Sequence, residues 1–217
     1  MTEQNYEQMR RAMVASQLRT TGVDDPRVLA AMGAVPRERF VPRHLAGIAY
    51  ADALVLLGNG RDLNTPMSLG RLLSEAAPRE TDRALVIGAA TGYAAAVVAR
   101  LAASVVAIEE DPALVAQARE NLKGTDVNVV EAPLTHGHVA SAPYDLILID
   151  GAVELVPETI IEQLVPEGGR LAAALLENGV TRLAIGRRAG EGFGMVEVSD
   201  WAAAVLPGFL KPRKFKF

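Results

Sequence analysis

The chain contains no cysteine, which removes disulfides, thiolate metal ligands and cysteine nucleophiles together. It also lacks any apolar run near the ~18 residues that a membrane-spanning helix needs, and its single tryptophan is Trp201. Basic residues are not in excess. Against 26 Asp and Glu stand 22 Lys and Arg, a formal charge of −4, which gives no electrostatic footprint for nucleic acid. The opening residues, Met1-Thr-Glu-Gln-Asn-Tyr-Glu-Gln, have neither the basic region nor the apolar stretch of an export signal. A cytoplasmic protein with no membrane or nucleic-acid partner is expected. What is present is 217 residues, half of them hydrophobic and 22% charged, enough for one globular domain with a sizeable core.

Residues 6–18 carry Met9, Ala12, Met13 and Leu18 at near-helical spacing, and Gly22 stops the run. Asp24-Asp25-Pro26 supplies a cap and a first-turn proline for a helix to Met32. Pro36 and Pro42 keep the segment between them from being helical. Residues 43–65 read as irregular apart from an apolar run at 53–57, and 66–77 read as a helix. From Arg83 the pattern becomes strand–helix alternation. The runs 83–87, 104–109, 127–131 and 144–149 are short and continuously apolar, as in a parallel sheet buried on both faces. Helices are expected at 93–101, 112–122 and 157–164, and a fifth strand at 170–176. Turn signals at Glu177-Asn178-Gly179 and Ala189-Gly190-Glu191-Gly192 then separate 181–187 from 193–201, which predicts an antiparallel edge.

The most specific local feature is Gly88-Ala89-Ala90-Thr91-Gly92 between the first of these strands and its helix, with Glu109 ending the next strand. Gly88 permits a sharp turn, and exposed amides there suit a polar ligand. Glu109 is placed to accept hydrogen bonds from two ribose hydroxyls. The unit reads as a nucleoside half-site. A dinucleotide loop requires G-x-G-x-x-G, and Ala90 stands at its middle glycine, which favours S-adenosylmethionine over NAD. Asp150 closes the fourth strand, either at the ligand rim or as a cap for the next segment. His136-Gly137-His138 lacks a third ligand, so no metal is expected. The basic end, Lys211-Pro-Arg-Lys-Phe-Lys-Phe217, suits either an acidic peptide or solvent.

With these residues in view, the whole chain resembles the bacterial protein-L-isoaspartate O-methyltransferases. The resemblance is carried by the glycine loop and by the lead-in: Met13-Val-Ala-Ser-Gln-Leu18, Gly22-Val-Asp-Asp-Pro-Arg-Val-Leu29, Val35-Pro-Arg-Glu-Arg-Phe-Val-Pro42 and Ala49-Tyr50-Ala-Asp52. Ala142-Pro-Tyr-Asp145 and Gly168-Gly-Arg-Leu171 extend it. It implies a seven-stranded Rossmann-like methyltransferase fold, mostly parallel, with an antiparallel C-terminal edge and a helical N-terminal lead-in. One domain over 1–217 is expected, with lead-in and substrate loop in 1–78 and core in 79–217. The implied cofactor is S-adenosyl-L-methionine. The implied reaction is esterification of the free carboxylate of isoaspartyl residues in damaged proteins or peptides, so that succinimide formation and hydrolysis restore aspartate. Carried over by position, Gly88, Ala89, Ala90, Thr91 and Gly92 would hold the methionine portion, Glu109 and Glu110 the ribose side, and Leu134 the adenine edge. Asp150 would stand at the rim, and Asn64-Thr65 would meet the acceptor carboxylate.

The departures fall near the chemistry. The family's loop serine aligns with Asn64, its acid before the glycine loop with Val86, and its Gly-Asp-Gly after the third strand with Ala132-Pro133-Leu134. A carboxylate acceptor is already ionised, so positioning, worth up to about 7–11 kcal/mol in ideal cases, can replace a base. Asn64 has an amide for that task, or it is simply a turn residue. Arg61 adds a cation for the substrate. Loss of a charged acceptor at Val86 forfeits about 1.5–3 kcal/mol of cofactor binding. The alternative is a diverged, catalytically weak or silent relative that binds cofactor or a partner, or that methylates another acceptor.

Overall fold

A computed structural model describes residues 5–211. The basic end considered above lies outside them beyond Lys211. The lead-in begins with α1 (Tyr6–Met13), capped by the Asn5 side chain and continued by one wide turn at Val14–Leu18 and one tight turn at Arg19–Thr21. The second helix, α2 (Pro26–Ala34), starts as its sequence predicts. Pro26 occupies the first turn and the Asp25 side chain accepts from Arg27 N. Between Pro36 and Pro42 the chain makes only a single tight turn, Arg37–Phe40.

Residues 43–65 are more ordered than their composition suggests. A second tight turn, Arg43–Ile48, leads to a small hairpin of β1 (Val55–Gly58) and β2 (Arg61–Leu63), whose tip is Asn59. Along β2 the burial alternates, so Arg61 and Leu63 face inward while Asp62 faces partly outward. Thr65 then caps α3 (Pro66–Ala76), accepting from Ser68 N.

The core is one seven-stranded sheet built from β3 (Arg83–Ile87), β4 (Ser104–Glu109), β5 (Val127–Glu131), β6 (Leu146–Val153), β7 (Glu167–Glu177), β8 (Val180–Ala189) and β9 (Gly192–Asp200). Its order is β5-β4-β3-β6-β7-β8-β9. The first five of these strands run parallel, and β8 and β9 add antiparallel at the edge. Three crossover helices, α4 (Tyr93–Val98), α5 (Pro112–Asn121) and α6 (Glu158–Ile161), cover the parallel part. Two buried clusters, one on each face, give the sheet its double cover.

This order places a switch point between β3 and β6: the chain leaves β3 one way and returns on the other side. Crevices that bind ligands in open α/β sheets form at the carboxyl ends of the strands at that point. Gly88, Glu109 and Asp150 all lie there.

Candidate nucleoside site

Gly88 turns out of β3 with φ +79°, and Ala90 follows with φ +48°, a left-handed conformation that a side chain rarely adopts. Four of the five amides expected to be exposed in this loop are hydrogen-bonded within the protein. Gly88 N and Ala89 N both donate to Ile108 O at 3.0 Å, and Gly92 N donates to Ala89 O at 2.7 Å. Ala90 N donates to Glu109 Oε2 at 2.8 Å. The turn folds back on the end of β4, and four of its five backbone donors are satisfied within the protein.

Glu109 is 0% exposed. Its Oε1 accepts from Arg61 Nη1 at 2.6 Å, from Glu110 N at 2.9 Å and from Asp111 N at 3.2 Å. Arg61, 5% exposed, also donates through Nη2 to Gly88 O at 3.3 Å. The cation that the sequence suggested for the substrate is therefore spent inside the protein, on the acid expected to hold a ribose. The period-two alternation of β2 turns Arg61 to the same face as Leu63, in a segment whose sequence reads as irregular.

The other half of the crevice is closed by the chain's own C-terminal segment. β6 pairs with β3 through Ile149 and beyond that point with Val205. Ala152 N donates to Ala204 O at 2.6 Å and Leu206 N to Ala152 O at 2.9 Å. Leu206 then lies over the glycine turn, so that a Cβ built on Gly88 would come within 2.9 Å of Leu206 Cδ2. One built on Gly151 would meet Leu206 Cγ at 2.4 Å. Nothing in the local sequence marks Leu206 for this position.

Asn64 joins the two halves. Its Nδ2 donates to Asp150 Oδ1 at 2.7 Å, and its Oδ1 accepts from Ala204 N at 2.7 Å. Asp150 is 7% exposed, and burial pushes its carboxyl above the ordinary carboxylate value. The Asn64 amide and the Arg37 and Arg61 cations oppose that rise, and Glu109 adds to it. Thr65, the neighbouring candidate, has its hydroxyl within 2.9 Å of Ser68 Oγ at the start of α3. Thr91 donates to Phe40 O at 2.6 Å and so ties the loop to the lead-in.

Beneath Asn64 lies a cluster the sequence does not reveal. Arg37 is fully buried and donates through Nε to Ala49 O at 2.6 Å and through Nη2 to Asn64 O. Its guanidinium lies 4.6 Å from the Tyr93 ring centroid, and the edge of Phe40 meets the same ring. Burial lowers the Arg37 pKa and raises that of Tyr93, the second effect reduced by the Arg37 charge. Nothing in the Pro36-Arg37-Glu38-Arg39 run distinguishes the buried arginine from the exposed Arg39.

The remaining candidates sit at the periphery. Leu134 N donates to Glu110 Oε2 at 3.4 Å, and the Leu134 side chain is buried. Val86 belongs to the buried core. The 136–138 loop is clamped by Gln163, which donates to His136 O and accepts from His138 N, both at 2.8 Å. Among the described residues no group of three or more His, Asp or Glu converges as for a metal, and no helix is long and apolar enough to cross a membrane. A cavity of about 440 Å³ lies elsewhere, between Val35, Phe40, Ala99, Val105 and Leu122.

As these side chains lie, they do not fit a nucleoside. The acid's oxygens are taken by Arg61 and three backbone amides, and Leu206 covers the glycine turn.

Comparison with known proteins places this geometry in a lineage. The chain is 44% identical over 171 residues to a protein-L-isoaspartate O-methyltransferase of Methanoregula boonei, covering 74% of this chain and 79% of that one. It is 41% identical over 184 residues to protein-L-isoaspartate O-methyltransferase 2 of Marinobacter nauticus, covering 83% and 84%. A solved Plasmodium falciparum structure superposes with a TM-score of 0.78 at 18% identity, over 94% of this chain and 99% of that one, and so shares the fold. That protein is described as a putative protein-L-isoaspartate O-methyltransferase in complex with S-adenosyl-L-homocysteine. Residues 9–199, lead-in and sheet together, match the model of the family described as protein-L-isoaspartate(D-aspartate) O-methyltransferase, and the chain belongs to that family.

Proposed function

We propose that the protein methylates the free carboxylate of L-isoaspartyl residues in damaged proteins, using S-adenosyl-L-methionine. The observation that carries this reading is the extent of the family match: it takes in the helical lead-in as well as the nucleoside half-site. The lead-in is no appendage. Arg37 from it holds the Asn64 carbonyl, and its Phe40 carbonyl receives Thr91 from the glycine loop.

S-adenosylmethionine supplies an electrophilic methyl group when bound. The acceptor carboxylate is an anion at neutral pH, so no base is required and a positioning group suffices. Asn64 is proposed for that role, with its carboxamide held between Asp150 and Ala204 and Thr65 beside it as the helix cap. Gly88 through Gly92 are proposed for the methionine end of the cofactor, Glu109 and Glu110 for the ribose side, Leu134 for the adenine edge and Asp150 for the rim. Each role requires the crevice to open first. A single domain over 1–217 and a cytoplasmic setting complete the proposal.

The test offers purified protein a synthetic isoaspartyl peptide and its aspartyl twin with methyl-labelled cofactor. Base-labile labelling of the isoaspartyl peptide alone is the expected result. Equal labelling of both peptides, or of neither, would overturn the reading.

A further inference from the structure

Arg61 and Leu206 fill the switch-point crevice from two sides, and they do so with different chemistry. Arg61 brings a charge that the buried Glu109 carboxylate needs, and Leu206 brings apolar contact over the Gly88 turn. Arg61 is carried by β2, on a two-stranded hairpin separate from the main sheet. Among the described residues, the hairpin tip is held down, besides the Arg61 contacts, by one polar tether, Asn59 Nδ2 to Asp111 Oδ2 at 2.8 Å. The outward side chain of Leu56 is 71% exposed. Glu109, by contrast, also accepts from three backbone donors that do not belong to the hairpin. The acid is thus fixed by β4 and its flanking turns, while its cation is delivered by a small separate sheet.

We propose that Arg61 is an internal competitor for the ribose-binding acid: the β1–β2 hairpin holds its guanidinium on Glu109, and a nucleoside binds only after that guanidinium withdraws and Leu206 yields the space over Gly88. The inference rests on the methyltransferase reading and adds to it a residue that sets cofactor affinity. A ligand that binds only an open form has its apparent affinity reduced by the fraction of protein that is open. Removing the competitor therefore tightens binding without adding a contact. Leu206 acts in the same direction through volume alone.

The experiment is calorimetric titration of the full chain with S-adenosylhomocysteine, which lacks the sulfonium charge that Arg61 would repel. Wild type, Arg61→Ala and Leu206→Ala are compared, each verified as folded by circular dichroism. The second variant leaves the Arg61–Glu109 pair in place and covers the case in which the first does not fold. The expected result is that each folded variant binds at least about tenfold more tightly than wild type. Equal affinity among the folded proteins overturns the competitor while leaving the cofactor assignment intact. No binding by any folded protein at millimolar ligand overturns both.

Discussion

Arg61 Nη1 donates to Glu109 Oε1 at 2.6 Å across 48 residues of sequence, and both side chains are buried. An ion pair in that position gains Coulomb energy but gives up hydration on both sides, so its net contribution to stability is small, whereas its loss from one side is costly. Its consequence here is spatial. The pair links β2 to the carboxyl end of β4, where open α/β sheets form their ligand crevices.

Asn64 holds two partners at once, and shortening it releases both. Asn64→Ala leaves Ala204 N and Asp150 Oδ1 unpaired in a buried setting. The expected loss is about 2 kcal/mol or more, read from denaturant midpoints. Amide exchange of Ala204 and Leu206 should rise more than that of the β3 amides; equal protection across these sites would contradict the bridging role.

Arg37 has no replacement for its two carbonyl partners. Arg37→Met preserves much of the volume and removes the donors to Ala49 O and Asn64 O. A destabilisation of about 3 kcal/mol or more is expected from charged hydrogen bonds lost in the interior. A fall below about 1 kcal/mol would show that the carbonyls find other donors.

Tyr93 presents the opposite case: among the described residues its buried hydroxyl makes no hydrogen bond of good geometry, with the Arg37 guanidinium as its charged neighbour. Tyr93→Phe keeps the ring against Arg37 and Phe40 and removes the orphan. Stability should stay level or rise by about 1 kcal/mol. A loss of that size would reveal a partner for the hydroxyl.

Asp150 makes a prediction about pH. Its folded pKa lies above the ordinary 3.8, so the folded state holds this proton more tightly than the unfolded chain. The stability this contributes is full below about 3.8 and is lost as pH rises through the folded value. Asp150→Asn imitates the neutral acid and retains that stability at neutral pH. Its Tm should exceed that of wild type at pH 7.5. The gap should close towards pH 4; a variant less stable at pH 7.5 would mean that the neighbouring cations outweigh burial.

The sequence was most legible where one physical signal dominates. Apolar runs gave β3, β4 and β5 at their observed bounds, Asp25-Pro26 placed the start of α2, and α5 begins at the expected residue 112. β6 runs past Ile149 to Val153, because β7 and the C-terminal segment pair with the stretch that looked like a rim. α6 is shorter than the expected 157–164, and its last residues become a bridge from Tyr144 to Leu164. Spacing brought the glycine turn and Glu109 together at the carboxyl ends of β3 and β4, where the structure has them. The filling of the crevice was not legible, since it depends on contacts between residues 61 and 109 and between 88 and 206. Residues 61–63 read as irregular, so nothing in them marked Arg61 as inward-facing, and a buried Arg37 looks like any other arginine in a polar run.

Crystals grown with S-adenosylhomocysteine would show directly whether the crevice between β3 and β6 is where the cofactor binds. The account predicts the ribose hydroxyls on Glu109, with the Arg61 guanidinium withdrawn and Leu206 shifted off Gly88. A ligand bound elsewhere, or one bound there beside an unbroken Arg61–Glu109 pair, would contradict it.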